Sequence, residues 1–282
     1  MNTNIIYKEE IKLSEQQNRM IISGWGNDVF QNSVVEKIVY ISDNLKVKGY
    51  LSHPKIMTPG SKIPLVIWNR GGYGEEGAID RFTARGMFGQ ISSWGYAVLA
   101  SQYRGNDGGE GRDELGGAEV NDIKNLLPLA EELKFIDTSR IGIEGWSRGG
   151  LMTFILLREY HNFKCAVLSG AISNLKQIAD SEISLKKNYK KIIGAEDFNL
   201  QIEARSAINF TKDLPDIPYL IMHGGKDERV AVEQSIELAK KFSDEKKNFR
   251  LVIFEGGDHF LKNHRKEVDQ LRKMWFDTYL GI

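Results

Sequence analysis

Cysteine is almost absent from this sequence: Cys165 is the only one in 282 residues. A single thiol excludes an intramolecular disulfide framework and any cysteine cluster around zinc. It sits in Phe163-Lys164-Cys165-Ala166-Val167-Leu168, where a small apolar residue inside a buried strand is the simplest reading. Net charge is missing too. Lys plus Arg and Asp plus Glu number 38 each, so there is no polybasic footprint for nucleic acid or an anionic membrane, and no acidic tail for a cationic partner. No stretch of about 18 consecutive apolar residues occurs, and none is expected to span a membrane. Met1 to Glu10 lacks the apolar core of a signal peptide, which points to a cytoplasmic protein. Neither Gly-x-x-x-x-Gly-Lys-Ser/Thr nor His-Glu-x-x-His is present, so no nucleotide-hydrolysing or zinc-hydrolase site is expected, and neither is a metal or cofactor.

What is present alternates between strand-like and helix-like runs, the pattern of parallel strands joined by helical crossovers. Val34 to Ile41 and Lys46 to His53 flank the turn signal Ser42-Asp43-Asn44 and read as a hairpin. Pro64-Leu65-Val66-Ile67-Trp68 is continuously apolar, as in a sheet covered on both faces. A helix over 79–94 precedes a strand at Tyr96 to Ser101, and a helix over 118–133 precedes a strand at Arg140 to Glu144. The Cys165 strand, Ile217 to Met222 and Phe249 to Phe254 complete an expected eight-stranded, mostly parallel α/β sheet with helices on both faces. A helix over 232–242 joins the last two strands, and one over 265–279 closes the chain. Residues 171–214 form a long, helical interruption expected to cap the site, with Lys186-Lys187-Asn188-Tyr189-Lys190-Lys191 as a solvated helix face. Residues 1–30 read as a polar, helical N-terminal arm around Glu9-Glu10-Ile11-Lys12-Leu13, and residues 31–282 as one catalytic-type domain.

Gly145-Trp146-Ser147-Arg148-Gly149-Gly150 carries the chemistry. It reads G-x-S-x-G between an apolar strand and the apolar run Leu151 to Leu157. That is the context of a nucleophile elbow, in which a strained strand-to-helix turn exposes the serine hydroxyl. A serine hydroxyl needs a histidine to take its proton and an acid to fix that histidine's tautomer. In this topology both come from loops after later strands, in the order Ser, acid, His. His223-Gly224-Gly225-Lys226-Asp227-Glu228 and Glu255-Gly256-Gly257-Asp258-His259 follow the last two strands. His259 leads among the five histidines, with His223 its competitor. Asp227 leads for the acid, because Asp258 adjoins His259 and must point elsewhere, while Glu228 is one position off. The competing reading of Asp227 is a loop aspartate bonded to its own backbone.

Two donors must hold the developing oxyanion. One is the Arg148 N–H, at the start of the elbow helix. The other is expected from Asn69-Arg70-Gly71-Gly72-Tyr73-Gly74, from Gly72 or Tyr73. The same loop holds Gly72-Tyr73-Gly74-Glu75-Glu76-Gly77, a match to G-x-G-x-x-G. The ribose-binding acid expected about 20 residues on is missing, and two glutamates would repel a pyrophosphate, so no nucleotide is expected.

From about Val34 to Tyr279 the chain resembles the catalytic domain of the prolyl oligopeptidase family of serine hydrolases. The resemblance rests on Tyr103-Arg104-Gly105 with its trailing glycines, Val120-Asn121-Asp122-Ile123, Ile136-Asp137-Thr138-Ser139-Arg140-Ile141, Arg205-Ser206-Ala207, His223 to Val230 and Gly257-Asp258-His259-Phe260. It implies an α/β-hydrolase fold and carries the triad roles onto Ser147, Asp227 and His259. Three departures stand out. Arg148 occupies a position that is usually tyrosine in the family, Asn-Arg-Gly-Gly-Tyr replaces a frequent His-Gly-Gly-Pro, and about thirty N-terminal residues cannot form the large peptidases' β-propeller.

The expected activity is cleavage of an acyl bond through a Ser147 acyl-enzyme. The substrate is a small molecule or short peptide, with a carboxylesterase as the alternative and a non-catalytic binding module as a distant one. A homo-oligomer stays open.

Overall fold

A computed structural model of the chain describes residues 4–281. It opens with a strand, β1 (Ile5–Glu10), where a helical arm was expected. β1 is an edge strand pairing antiparallel with β2 (Ser33–Ser42) alone. An edge strand exposed along its length needs no apolar alternation, so Lys8-Glu9-Glu10 masks the strand propensity of Ile5-Ile6-Tyr7. Lys8 pairs with Glu36 at 3.0 Å and Arg81 with Glu9 at 3.1 Å. Two helices, α1 (Glu15–Trp25) and α2 (Asn27–Asn32), lead into β2. Ser14 starts α1 with a reciprocal capping box to Gln17.

β2 and β3 (Leu45–Pro54) form the expected hairpin. Asp43 and Asn44 at its tip have φ of 48° and 65°, as a two-residue turn matched to strand twist requires. β4 (Ile63–Asn69), α3 (Arg81–Ser93) and β5 (Ala97–Ser101) begin the parallel section. Asp80 caps α3 by accepting from the Thr83 N–H. The helix expected over 118–133 is two, α4 (Val120–Lys124) and α5 (Leu126–Glu132). Pro128 explains the break: it has no N–H for the Lys124 carbonyl, and its ring crowds that carbonyl.

Next come β6 (Ile136–Trp146), α6 (Arg148–Glu159) and β7 (Cys165–Ser169). The interruption contains α7 (Leu175–Ser181), α8 (Ile183–Ile193) and α9 (Phe198–Ala204). Leu175, Ile178, Ile192, Phe198 and Ile202 anchor it in the core, while Lys187, Lys190 and Lys191 face solvent. β8 (Tyr219–Gly224), α10 (Glu233–Asp244), β9 (Phe249–Phe254) and α11 (Arg265–Leu280) finish the chain.

The sheet has nine strands rather than eight, in the order β1-β2-β3-β5-β4-β6-β7-β8-β9, because β1 extends it. β5, β4, β6, β7, β8 and β9 run parallel and the first three strands antiparallel. Alternate residues of β4 feed two cores, Leu65 and Ile67 on one face and Val66 and Trp68 on the other. Cys165 is fully buried in β7, and burial pushes its thiol well above the ordinary cysteine value. This is an α/β-hydrolase fold.

Candidate active site

Where β6 meets α6, Ser147 has φ 56° and ψ −122°, a region that costs a non-glycine residue about 1–3 kcal/mol. The surroundings impose it. The Ser147 N–H donates to Ser169 O at 2.9 Å, and Ser147 O accepts from Gly150 and Ile172. Gly149 lies so close to β4 that a β-carbon there would overlap the Asn69 carbonyl oxygen. The helix behind the serine can therefore approach the sheet only as glycine.

His259, in the loop after β9, is 7% exposed, and its Nδ1 lies 2.7 Å from Asp227 Oδ2. Asp227, in the loop after β8, combines both sequence readings in one side chain. Its Oδ1 accepts from the N–H groups of Arg229 (2.8 Å) and Val230 (2.9 Å), while Oδ2 faces His259. Burial alone would raise this carboxyl. The His223 and His259 contacts and the Val230 N–H outweigh burial and hold it well below the usual aspartate range. Asp258 turns away, its Oδ1 accepting from Lys262 N, and Glu228 is exposed.

His223 belongs to the acid rather than to the serine. It is fully buried, with Nε2 2.9 Å from Val230 O and 3.2 Å from Asp227 Oδ2, and Nδ1 2.6 Å from Ser235 Oγ. Gly170, at the end of β7, packs under the pair. A β-carbon there would stand 3.3 Å from His259 Nδ1 and 3.4 Å from Asp227 Oδ2. The Trp146 indole N–H donates to His259 O at 3.3 Å, tying the histidine loop to the elbow. The Gly170 and Trp146 contacts have no sequence signature, since each joins segments far apart in the chain. Among the described residues, Ser147 Oγ and His259 Nε2 have no hydrogen-bond partner, so the two side chains are not hydrogen-bonded to each other in this structure.

The Arg148 side chain is buried against two acids rather than exposed to solvent. It is 2% exposed and grips Asp113 with both terminal nitrogens (2.7 and 2.6 Å), Glu119 at 2.7 Å and the Gly72 carbonyl at 2.9 Å. Asp113 is held low, its burial overcome by Arg148, whereas burial pushes Glu119 up. The 112–116 loop that carries Asp113 is also where the helical interruption docks. Arg112 donates to Ile192 O at 2.9 Å, and Arg205 to Leu115 O at 3.1 Å. The glycine-rich 72–77 loop folds back on itself instead of opening a helix, and α3 begins only at Arg81. Such a loop presents no helix N-terminus to a phosphate. Among the described residues, no three His, Cys, Asp or Glu side chains form a metal-binding group, and no helix is long and apolar enough to cross a membrane.

The family model of the prolyl oligopeptidase family matches residues 86–282. The uncharacterized peptidase YtmA of Bacillus subtilis (strain 168) is 29% identical over 238 residues, covering 83% of this chain and 90% of that protein. The uncharacterized peptidase YuxL of the same strain is 28% identical over 268 residues, 88% of this chain but only 39% of YuxL. Among solved structures, the uncomplexed acylaminoacyl peptidase of Pyrococcus horikoshii superposes with a TM-score of 0.75 at 22% identity, over 93% of this chain and 43% of that one. At that identity the likeness shows the fold alone. The match covers most of the chain, including the elbow and the loops that carry Asp227 and His259, and the chain belongs to the prolyl oligopeptidase family of serine hydrolases.

Proposed function

We propose that the chain hydrolyses short peptides or related amides through an acyl-enzyme on Ser147. The observation that carries this reading is the Asp227–His259 pair at 2.7 Å, in loops beside a serine held at a strained strand-to-helix turn. His259 Nδ1–H donates to Asp227, which leaves Nε2 as the base. Nε2 takes the Ser147 hydroxyl proton as Oγ attacks the scissile carbonyl carbon. The carbonyl oxygen becomes an oxyanion held by the Arg148 N–H and an N–H of Gly72 or Tyr73. The C–N bond then breaks, and Nε2–H gives its proton to the leaving amine. Water attacks the acyl ester, losing a proton to Nε2, and Ser147 leaves with that proton. Asp227 stays ionised throughout and stabilises the imidazolium formed in each half-reaction.

The peptidase names of the family relatives support an amide or peptide substrate over an ester. A side-by-side comparison of aminoacyl and dipeptidyl p-nitroanilides with p-nitrophenyl acyl esters tests the choice. We expect kcat/KM on at least one anilide to reach within about tenfold of the best ester. Anilides left unhydrolysed beside rapid ester turnover would make the protein an esterase.

A further inference from the structure

Two buried arginines surround the loop that must supply the second oxyanion donor, and only one of them has acidic partners. Arg70 is fully buried, yet its guanidinium donates solely to carbonyls: Gly74 O at 2.8 Å, Gln102 O at 3.1 Å, Gly71 O at 3.2 Å and Glu76 O at 3.4 Å. Burial lowers its pKa from the ordinary arginine value. Arg148 reaches the same loop from the elbow and donates to Gly72 O at 2.9 Å. The Tyr103 ring lies between them, 5.3 Å from one guanidinium and 5.1 Å from the other, and its hydroxyl donates to Arg70 O. Asp113 and Glu119 both pair with Arg148, and neither forms an ion pair with Arg70. Burying a guanidinium costs desolvation, which here only hydrogen bonds to the four loop carbonyls offset, so the cation and the loop conformation depend on each other.

Which carbonyls are held decides what the clamp does. In a planar trans peptide the C=O of one residue and the N–H of the next point in opposite directions. Fixing Gly71 O toward Arg70 therefore aims the Gly72 N–H away from Arg70. Fixing Gly72 O toward Arg148 aims the Tyr73 N–H away from that guanidinium. Those two N–H groups are the candidate oxyanion donors, and among the described residues neither has a hydrogen-bond partner. The loop adjoins the nucleophile: a β-carbon on Gly71 would lie 3.1 Å from Ser147 Cβ and 3.7 Å from Ser147 Oγ. Gly72 itself has φ 70°, a conformation the guanidinium contacts must hold against the freedom of a glycine-rich loop.

We propose that Arg70 and Arg148 are positioning residues that orient the Gly72 and Tyr73 N–H groups toward the carbonyl attacked by Ser147. The proposal rests on the Ser147 acyl-enzyme reading. Arg148 then acts twice, through its own N–H and through the peptide its side chain holds. Asp113, which grips Arg148, links this device to the 112–116 loop and the helices docked on it.

The test uses the full chain with Arg148→Lys, Arg148→Met and Arg70→Lys, and reads kcat, KM and the inhibition constant of a peptidyl trifluoromethyl ketone, whose adduct carries an oxyanion. Misplaced donors should lower kcat by about 10²-fold with little change in KM, since a displacement near 1 Å costs that much. The ketone should weaken in parallel with kcat/KM, whereas a loss of folded protein would lower activity without changing its affinity. If Arg148→Met does not fold, Arg148→Lys decides, because it keeps the charge between Asp113 and Glu119 but cannot hold both oxygens of Asp113 and Gly72 O together. A kcat/KM and ketone affinity within about twofold of wild type in both lysine variants would overturn the clamp while leaving the Ser147 reading intact. A folded wild type that takes no fluorophosphonate on Ser147 would overturn both.

Discussion

Asp227 is held from three directions: two N–H groups on Oδ1, and the rings of His259 and His223 against Oδ2. Its folded-state pKa lies below the ordinary 3.8. Folding therefore gains stability from this carboxylate at pH values above about 4, and loses it as pH falls toward the lower folded value. We expect wild type to unfold at a higher temperature than Asp227→Asn at pH 7, and the gap to close as thermal scans are run below about pH 4. Turnover of Asp227→Asn should fall by roughly 10³–10⁴, because the amide cannot stabilise the imidazolium or fix its tautomer. His223 gives a separable prediction. His223→Gln should cost about 1–3 kcal/mol of stability through unsatisfied buried groups around Ser235 and Val230. It should lower kcat by about tenfold while retaining fluorophosphonate labelling of Ser147. A fully inactive, unlabelled but folded His223→Gln would show that this ring, and not His259, acts as the base.

At the scale of elements, the elbow shows how local rules and long-range packing share the work. The G-x-S-x-G spacing and its apolar flanks were readable from residues adjacent in the chain, as was the hairpin turn at Asp43-Asn44. β1 was not readable, because an exposed edge strand is held by backbone pairing and ion pairs rather than by an apolar stripe. The Arg148 contacts were not readable either, since Asp113 and Gly72 lie 35 and 76 residues away in sequence. Gly149→Ala tests the packing argument directly. The added methyl would overlap the Asn69 carbonyl, so α6 must shift away from β4, at a cost of about 3 kcal/mol. Denaturant unfolding should show that loss, together with a drop in Ser147 labelling rate. An unchanged midpoint would mean that the helix has room to spare. Arg112→Ala removes a tie between the 112–116 loop and the end of α8, and should speed proteolytic nicking within residues 182–197 without lowering the global unfolding midpoint.

Over the whole molecule, the parallel section of the sheet assembles the site. β4, β6, β8 and β9 send their C-terminal ends to one edge, where Arg70, Ser147, Asp227 and His259 follow in loops. That Ser147, Asp227 and His259 follow strands of one parallel section was legible, because parallel strands joined by crossovers fix which loops meet. The shape of the site was not, because it depends on buried charges matched across the fold: Arg148 with Asp113 and Glu119, Arg272 with Glu144, and Arg104 with Asp122. In the proposed reaction Ser147 is the nucleophile, activated by the His259–Asp227 pair. The most direct measurement is intact-protein mass after exposure to a fluorophosphonate, with the adduct located by peptide mapping, in wild type and in His259→Ala. We expect one adduct, on Ser147, in wild type, and labelling at least about 10²-fold slower in a folded His259→Ala. No adduct on folded wild type, an adduct on another serine, or equal labelling rates in the two proteins would contradict it.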